Sequence, residues 1–253
     1  MKLRMLTQLQ KIRMIENNNF WSHVEELRRR IIFLIILFGS AAIIFFIFMD
    51  EMIKLLQKPM MEHGISLYYR QPSEKFITYC STSLSCSMFL LIPAAGFQLH
   101  NFIMPALIDK ERKLFSSLIL SGIFLFYAGV LFAWFIMIPF VIDFFINFAS
   151  GDGILPLWSI SDYVGMIIMF MIVTGICFEL PIFLFALLYS GMLSIETMNG
   201  LRRYFIVAFF IVAAIVTPPD IFTQIVVGLI LYAMYESTLI VAKMLRRKAD
   251  EQA

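Results

Sequence analysis

The sequence predicts an all-α integral membrane protein with six transmembrane helices, both termini cytoplasmic, and short fifth and sixth spans. Three observations carry this reading. Of 253 residues, 60% are hydrophobic and only 15% charged, against roughly 45–50% apolar and about 25% charged in soluble domains. Six apolar runs recur along the chain, separated by charged or proline-containing segments. The 20 Lys and Arg residues are distributed unevenly between alternate connecting segments. A chain this apolar cannot cover a water-soluble globule, which excludes a soluble enzyme, a disordered chain and a disulfide scaffold. The net charge of +2 implies no nucleic-acid-binding surface.

Residues 1–30 are polar and charged, and show no short apolar core followed by a small-residue cleavage site, so no signal peptide is expected. Ser22 and Glu25 fit a capping box, with Ser22 as N-cap and Glu25 at the third helical position. A short amphipathic helix is therefore expected to start there and enter the first span, 31–49. The second run, 76–107, is interrupted by Pro93 and Pro105. The third, 114–148, would be roughly 52 Å long as a helix, so it must tilt or project beyond the bilayer. The fourth is 163–188. The fifth, 204–216, gives roughly 20 Å of helix, about 10 Å short of the hydrocarbon core. Thr217-Pro218-Pro219-Asp220 leaves room only for a tight turn before the sixth run, 221–244, whose apolar length before Glu236 is similarly limited. The hairpin tip is thus expected to lie recessed, with the bilayer thinned around it. Backbone polar groups cannot be bare in lipid, so all six runs are read as helices.

Every Lys and Arg can be assigned to a connecting segment, with Lys243 at the end of the sixth run counted in the tail. The segments on the side of the termini hold sixteen, and those on the other side hold four. The positive-inside rule then places both ends in the cytoplasm or its topological equivalent. The expected organisation is a cytoplasmic N-terminal segment (1–30), a membrane domain (31–244) and a cytoplasmic tail (245–253).

Few residues in such a chain can carry chemistry. On the helix entering the first span, Glu25 faces Arg29 and Glu26 faces Arg30 at i,i+4 spacing. Asp109-Lys110-Glu111-Arg112-Lys113 lies between the second and third spans, on the same side as Glu26. Two carboxylates framed by arginines could receive a cationic ligand, the arginines keeping them ionised. Either cluster could equally be a solvated charged turn. Glu179 lies deep in an apolar run, where an acid costs about 2.5–3.5 kcal/mol even on a lenient insertion scale. It is expected to be protonated or to face a wet cavity, and Pro181 beside it frees a carbonyl and bends the helix. Asp220 suits the N-cap of the sixth span. Gln224, one turn further, needs a polar partner either in its own fold or in another subunit. The run of Ser and Thr from Thr78 to Ser87 is read as small residues allowing close helix packing.

Cys80, Cys86 and Cys177 sit in apolar stretches and are read as packing residues. His23, His63 and His100 show no ligand spacing, so no metal or other cofactor is expected. No phosphate-binding loop, nucleophile elbow or zinc-peptidase motif occurs, and no nucleophile–base pair supports an intramembrane enzyme.

Six ordered motifs resemble the TatC family, the multi-spanning core subunit of the twin-arginine, Sec-independent protein translocase. They are His23-Val24-Glu25-Glu26-Leu27-Arg28-Arg29-Arg30; Pro72-Ser73-Glu74-Lys75-Phe76; Gln98, Phe102, Pro105-Ala106-Leu107 and Glu111-Arg112; Phe126-Tyr127-Ala128-Gly129; Phe178-Glu179-Leu180-Pro181; and Thr217-Pro218-Pro219-Asp220 with Gln224. Lys110 stands where some relatives carry His, and the basic stretch 1–19 is longer than the family pattern. The resemblance implies a signal-peptide receptor that helps export folded proteins using the proton gradient, without enzymatic activity. Implied partners are twin-arginine signal peptides, single-span TatA- and TatB-type proteins, and further copies of itself. The implied place is a bacterial inner membrane, or a mitochondrial inner or thylakoid membrane. Arg-Arg binding maps onto Glu26, Glu111, Arg28 and Arg112, the intramembrane acid onto Glu179, and partner docking onto Thr217 and Gln224. Pro59, Phe102, Pro181, Pro218, Pro219 and Asp220 map onto structural positions. The competing expectation is a proton-coupled secondary transporter that uses Glu179 as its proton carrier.

Overall fold

The computed structural model describes residues 2–104, 109–149, 157–217 and 220–250. Among the described residues eight α-helices follow one another: α1 (Lys2–Ile47), α2 (Met49–Met61), α3 (Pro72–Ile103), α4 (Asp109–Phe132), α5 (Ile138–Ala149), α6 (Ile160–Tyr189), α7 (Ile195–Val216) and α8 (Ile221–Asp250). A π-helical stretch, Ala133–Met137, joins α4 to α5 without a break. Six helical segments among the described residues are long and apolar enough to cross a membrane: Val24–Ile47, Pro72–Phe102, Phe115–Phe148, Ile160–Tyr189, Ile195–Ile215 and Ile221–Met244. The fifth, with 21 residues, is the shortest. With its polar first turns the helix itself reaches 22 residues, so the apolar stretch 204–216 occupies only its later part.

The polypeptide differs from the sequence expectation at three places. The first helix does not begin at Ser22; the backbone is already helical from Lys2, so Ser22 and Glu25 lie inside a 46-residue helix. A capping box works only where the chain enters a helix from an extended residue, and here it does not. The segment after the first span is not a plain loop but α2, an amphipathic helix that buries Met49, Ile53, Leu56, Pro59 and Met60. The third span carries a π-helical stretch just before Pro139. Proline has no N–H to give to the carbonyl one turn back, and an inserted π turn absorbs that defect without ending the span.

Helix α6 forms the centre of the bundle, packed against α3, α4 and α8. The main packing partners are α4 with α6, α1 with α3, α7 with α8, and α6 with α8. Fully buried Tyr163 and Tyr235 each find a carbonyl: Tyr163 donates to Leu56 O at 3.0 Å and Tyr235 to Met198 O at 2.6 Å. These bonds fasten α6 to α2 and α8 to α7. Gly129 and Gly175 allow α4 and α6 to approach closely. A Cβ on Gly129 would lie 2.7 Å from the Thr174 carbonyl oxygen, and one on Gly175 would lie 2.6 Å from the Phe126 ring. The span of α1 is the least buried and contacts chiefly α3, leaving Ile35, Ile36, Ile43 and Ile47 to face lipid.

One end of the bundle carries a cap. Tyr68 and Ser159 form an isolated parallel bridge, in which Tyr68 N donates to Trp158 O at 3.1 Å and Ile160 N to Tyr68 O at 3.0 Å. Beneath it Glu74, buried in the first turn of α3, accepts from the Ser159 hydroxyl, the Arg70 N–H and the Ser161 N–H. Arg70 also pairs with Asp162. Thus one carboxylate holds the starts of α3 and α6 together. The hairpin between α7 and α8 emerges at this same end, and the early part of α1 emerges at the other.

Candidate functional site

At the end opposite the cap, the last turn of α3 carries two neighbouring segments. The first is α1. Arg30 reaches across and donates to Gln98 O at 2.6 Å and to Asn101 O at 3.2 Å. Asn101 belongs to the final turn of α3, where carbonyls lack intrahelical donors, and the helix dipole favours a cation at this end. The Arg30 guanidinium lies 5.6 Å from the Phe102 ring centroid, and it pairs with the Glu26 carboxylate one turn back. Glu26 is 35% exposed and Arg30 only 17%, so the arginine is the anchored member and the carboxylate the one presented.

The second segment is the start of α4. His100 Nε2 lies 2.9 Å from Ser116 Oγ, which donates to Arg112 O at 2.8 Å. The first turns of α4 are therefore tied to the turn of α3 that holds Arg30. Glu111 falls in that first turn by its backbone; its side chain lies outside the described residues. Arg112 is exposed there.

Glu26 borders two crevices. One, of about 670 Å³, is lined by Glu25, Glu26, Arg28, Arg29 and Ile32. The other, of about 290 Å³, lies between α1 and α3 and is lined by Glu26, Arg29, Arg30, Phe33, Gln98 and Asn101. The chemistry on offer is a carboxylate at a rim rich in guanidinium groups, suited to a ligand with planar cationic donors. Among the described residues no group of His, Cys, Asp and Glu could hold a metal ion.

Glu179 stands apart from this rim, in the middle of α6. Its carboxylate lies against Gly122 of α4, so close that a Cβ there would be 3.0 Å from Oε2. Pro181 follows within the same continuous helix and lines a crevice of about 260 Å³ with Ser117 and Ser121 of α4 and Ser237 and Thr238 of α8.

The hairpin is a third locus. Asp220 caps α8 as expected, accepting from Thr223 N at 2.7 Å and from the Thr223 hydroxyl at 2.5 Å. The Thr217 hydroxyl is buried and donates to Ala213 O at 2.8 Å, and the Gln224 amide donates to Phe210 O of α7 at 3.2 Å. Pro218 and Pro219 lie outside the described residues. Pro59 is buried in α2, near Asp143 of α5, to which its carbonyl is linked through His63. Sequence reasoning paired Glu26 with Arg30 but gave no sign that Arg30 also holds α3. It also left Glu236 unpartnered, whereas Glu236 accepts from Arg202 of α7 at 2.7 Å.

Residues 22–229 match the family described as "Sec-independent protein translocase protein (TatC)". The Sec-independent protein translocase protein TatC of Desulforapulum autotrophicum is 32% identical over 238 residues, covering 93% of this chain and 88% of the relative. That of Aquifex aeolicus is 32% identical over 232 residues, covering 90% and 96%. The chloroplastic protein of Pisum sativum is 32% identical over 218 residues, and the chain spans 62% of its length. A crystal structure of a twin-arginine translocase receptor, TatC, is similar with a TM-score of 0.76 at 31% identity, covering 88% of this chain and 98% of that one.

Proposed function

The chain belongs to the TatC family of Sec-independent protein translocase proteins, and from that membership we propose that it receives twin-arginine signal peptides on the rim formed by α1, α3 and α4. It is a multi-pass membrane subunit of a protein translocase, in a bacterial or organellar membrane. In the proposed role, Glu26 and Glu111 each accept one guanidinium of the Arg-Arg pair. A carboxylate accepts the planar fork through two parallel hydrogen bonds, and a lysine ammonium cannot reproduce that geometry. Arg28 and Arg112 flank the two acids and orient them.

The supporting observation is the last turn of α3. It anchors α1 through Arg30 and α4 through His100 and Ser116, so it mounts both acid-bearing segments on one rigid element. Both lie at the end of the bundle from which α1 begins, and the excess of Lys and Arg on that side supports a cytoplasmic position for it. The subunit works by binding and assembly rather than by enzymatic catalysis, and transport draws on the proton gradient. Single-span TatA- and TatB-type proteins dock near Thr217 and Gln224, and Glu179 supplies the intramembrane polar group. The relatives do not favour a secondary transporter built on Glu179.

The test is photocrosslinking of a twin-arginine signal peptide to probes placed around Glu26 and Glu111. Crosslinks at both positions, lost in a Glu26→Ala, Glu111→Ala variant that still accumulates in the membrane, are expected. Unchanged peptide binding by that variant rejects the proposal.

A further inference from the structure

Under the cap, α3 and α6 diverge and leave a crevice of about 330 Å³. Its walls carry five hydroxyl groups, those of Thr78, Ser81, Thr82 and Ser85 on α3 and of Ser161 on α6. Serines and threonines inside a helix usually give their proton to a carbonyl one turn back. Ser81 and Ser85 do so, to Thr78 O at 3.1 Å and Ser81 O at 2.8 Å. Thr78 and Thr82 do not. Their residues are 1% and 0% exposed, and among the described residues neither hydroxyl has a hydrogen-bond partner. A buried hydroxyl without a partner costs about 1–3 kcal/mol. Two of them side by side, on the hydroxyl-bearing wall of a crevice whose α6 side is largely aliphatic, call for a ligand that offers hydrogen bonds.

We propose that this crevice is a water-binding inlet that carries the aqueous phase at the capped end into the membrane between α3 and α6. The volume is several times the ~30 Å³ that one water occupies in the liquid, and the five hydroxyls together with neighbouring waters supply the two to four polar partners that a water needs. The mouth lies at Ser161, next to the charged cap of Glu74, Arg70 and Asp162. From Thr78 to Ser85 the hydroxyl-lined wall descends about 10 Å at 1.5 Å per residue. The passage is open beside Gly165, where a Cβ would meet nothing within 4 Å.

The inlet points toward the intramembrane acid. Ser161 and Glu179 are eighteen residues apart, which is five turns of 3.6, so they share one face of α6. Ile172, at the inner end of the crevice, is two turns or about 10 Å from Glu179 on that face. The hydrated stretch therefore shortens the apolar barrier between the capped side and Glu179. This inference does not depend on which peptide binds the opposite end.

The experiment uses single-cysteine variants of the full chain with Cys80, Cys86 and Cys177 replaced by Ala. A membrane-impermeant maleimide is added from the side of the α2–α3 loop, where Ser66→Cys is the exposed standard. Ser85→Cys and Gly165→Cys are expected to react at rates near the standard, and Leu84→Cys, at equal depth but facing outward, is expected not to react. Adding Thr78→Val and Thr82→Val, which keep the shape but remove both hydroxyls, should abolish labelling at Ser85→Cys. Ser85→Cys as inert as Leu84→Cys, or labelling unaffected by the two valines, overturns the proposal. Labelling that emerges only after co-purifying subunits are stripped away also overturns it, because a helix rather than water would then fill the crevice.

Discussion

Arg30 and Glu26 lie one turn apart on α1, and the guanidinium that pairs with the Glu26 carboxylate is held on the Gln98 carbonyl at 2.6 Å. The acid is thus positioned by a cation that is itself fixed to another helix. An incoming arginine does not have to displace this cation, because a carboxylate has about four acceptor sites and can serve two guanidinium groups. The arrangement predicts that Arg30→Lys, which keeps the charge but loses the planar fork, weakens binding of a twin-arginine peptide by about tenfold, the loss of one charge-assisted hydrogen bond. Fluorescence titration with a labelled peptide measures it. Equal affinity for wild type and Arg30→Lys would show that Arg30 does not position Glu26.

The approach of α4 to α6 gives a second expectation. A methyl group on Gly129 would sit 2.7 Å from the Thr174 carbonyl oxygen and 2.9 Å from the Gly175 Cα. Both are backbone atoms, so neither can turn aside. Gly129→Ala should force the helices apart and cost about 1–3 kcal/mol, the usual range for overpacking. Gly39→Ala is the control, since a Cβ there meets nothing within 4 Å. Thermal unfolding in detergent should show a lowered midpoint for the first and none for the second.

These relationships mark what was legible in the sequence. The six spans were, because lipid demands long unbroken apolar runs and those are visible one residue at a time. The helix α2 was hidden by Asp50, Glu51, Lys54 and Lys58, which read as a loop, although Met49, Ile53, Leu56 and Met60 repeat at helical spacing. The π-helical stretch has no residue code beyond the nearby Pro139. At the candidate site the Glu26–Arg30 pair follows from i,i+4 geometry. The bond from Arg30 to Gln98 joins residues 68 apart, and only the packing of α1 on α3 creates it. The cap escaped notice for the same reason: Tyr68 meets Ser159 through backbone groups, which every sequence possesses.

The cap gives a third expectation. Glu74 is 6% exposed and accepts hydrogen bonds from Arg70 N–H, Ser161 N–H and the Ser159 hydroxyl. Removing the acceptor strands these donors, and a hydrogen bond to a charged group is worth about 1.5–3 kcal/mol. Glu74→Ala should therefore open the cap, seen as faster proteolysis between α2 and α3 and a lowered thermal midpoint. Glu74→Gln, which keeps an acceptor oxygen, should lie between this variant and wild type. Proteolysis at the wild-type rate in Glu74→Ala would mean that the bridge between Tyr68 and Ser159 holds the cap unaided.

His63 provides the last. It follows α2, and its ring spans two acceptors: Nδ1 donates to Pro59 O at 2.8 Å and Nε2 lies 2.6 Å from Asp143 Oδ1 of α5. A carbonyl can only accept, so Nδ1 carries a proton, and in the imidazolium Nε2 carries the second and donates to the Asp143 carboxylate. The Pro59 carbonyl, the Asp143 carboxylate and the charge of Glu62 together raise the imidazole above its ordinary value of 6.5, against a smaller opposing effect of burial. A group whose pKa is raised on folding binds its proton more tightly in the folded state. Its stabilisation is therefore fully present below pH 6.5 and disappears as pH climbs through the raised folded value. Wild type should show a thermal midpoint that falls across that window, relative to His63→Gln measured over the same range. Asp143→Asn should shrink the difference, because the neutral amide keeps the contact but not the charge. A pH profile identical in wild type and His63→Gln would show that the α2–α5 junction does not depend on an imidazolium.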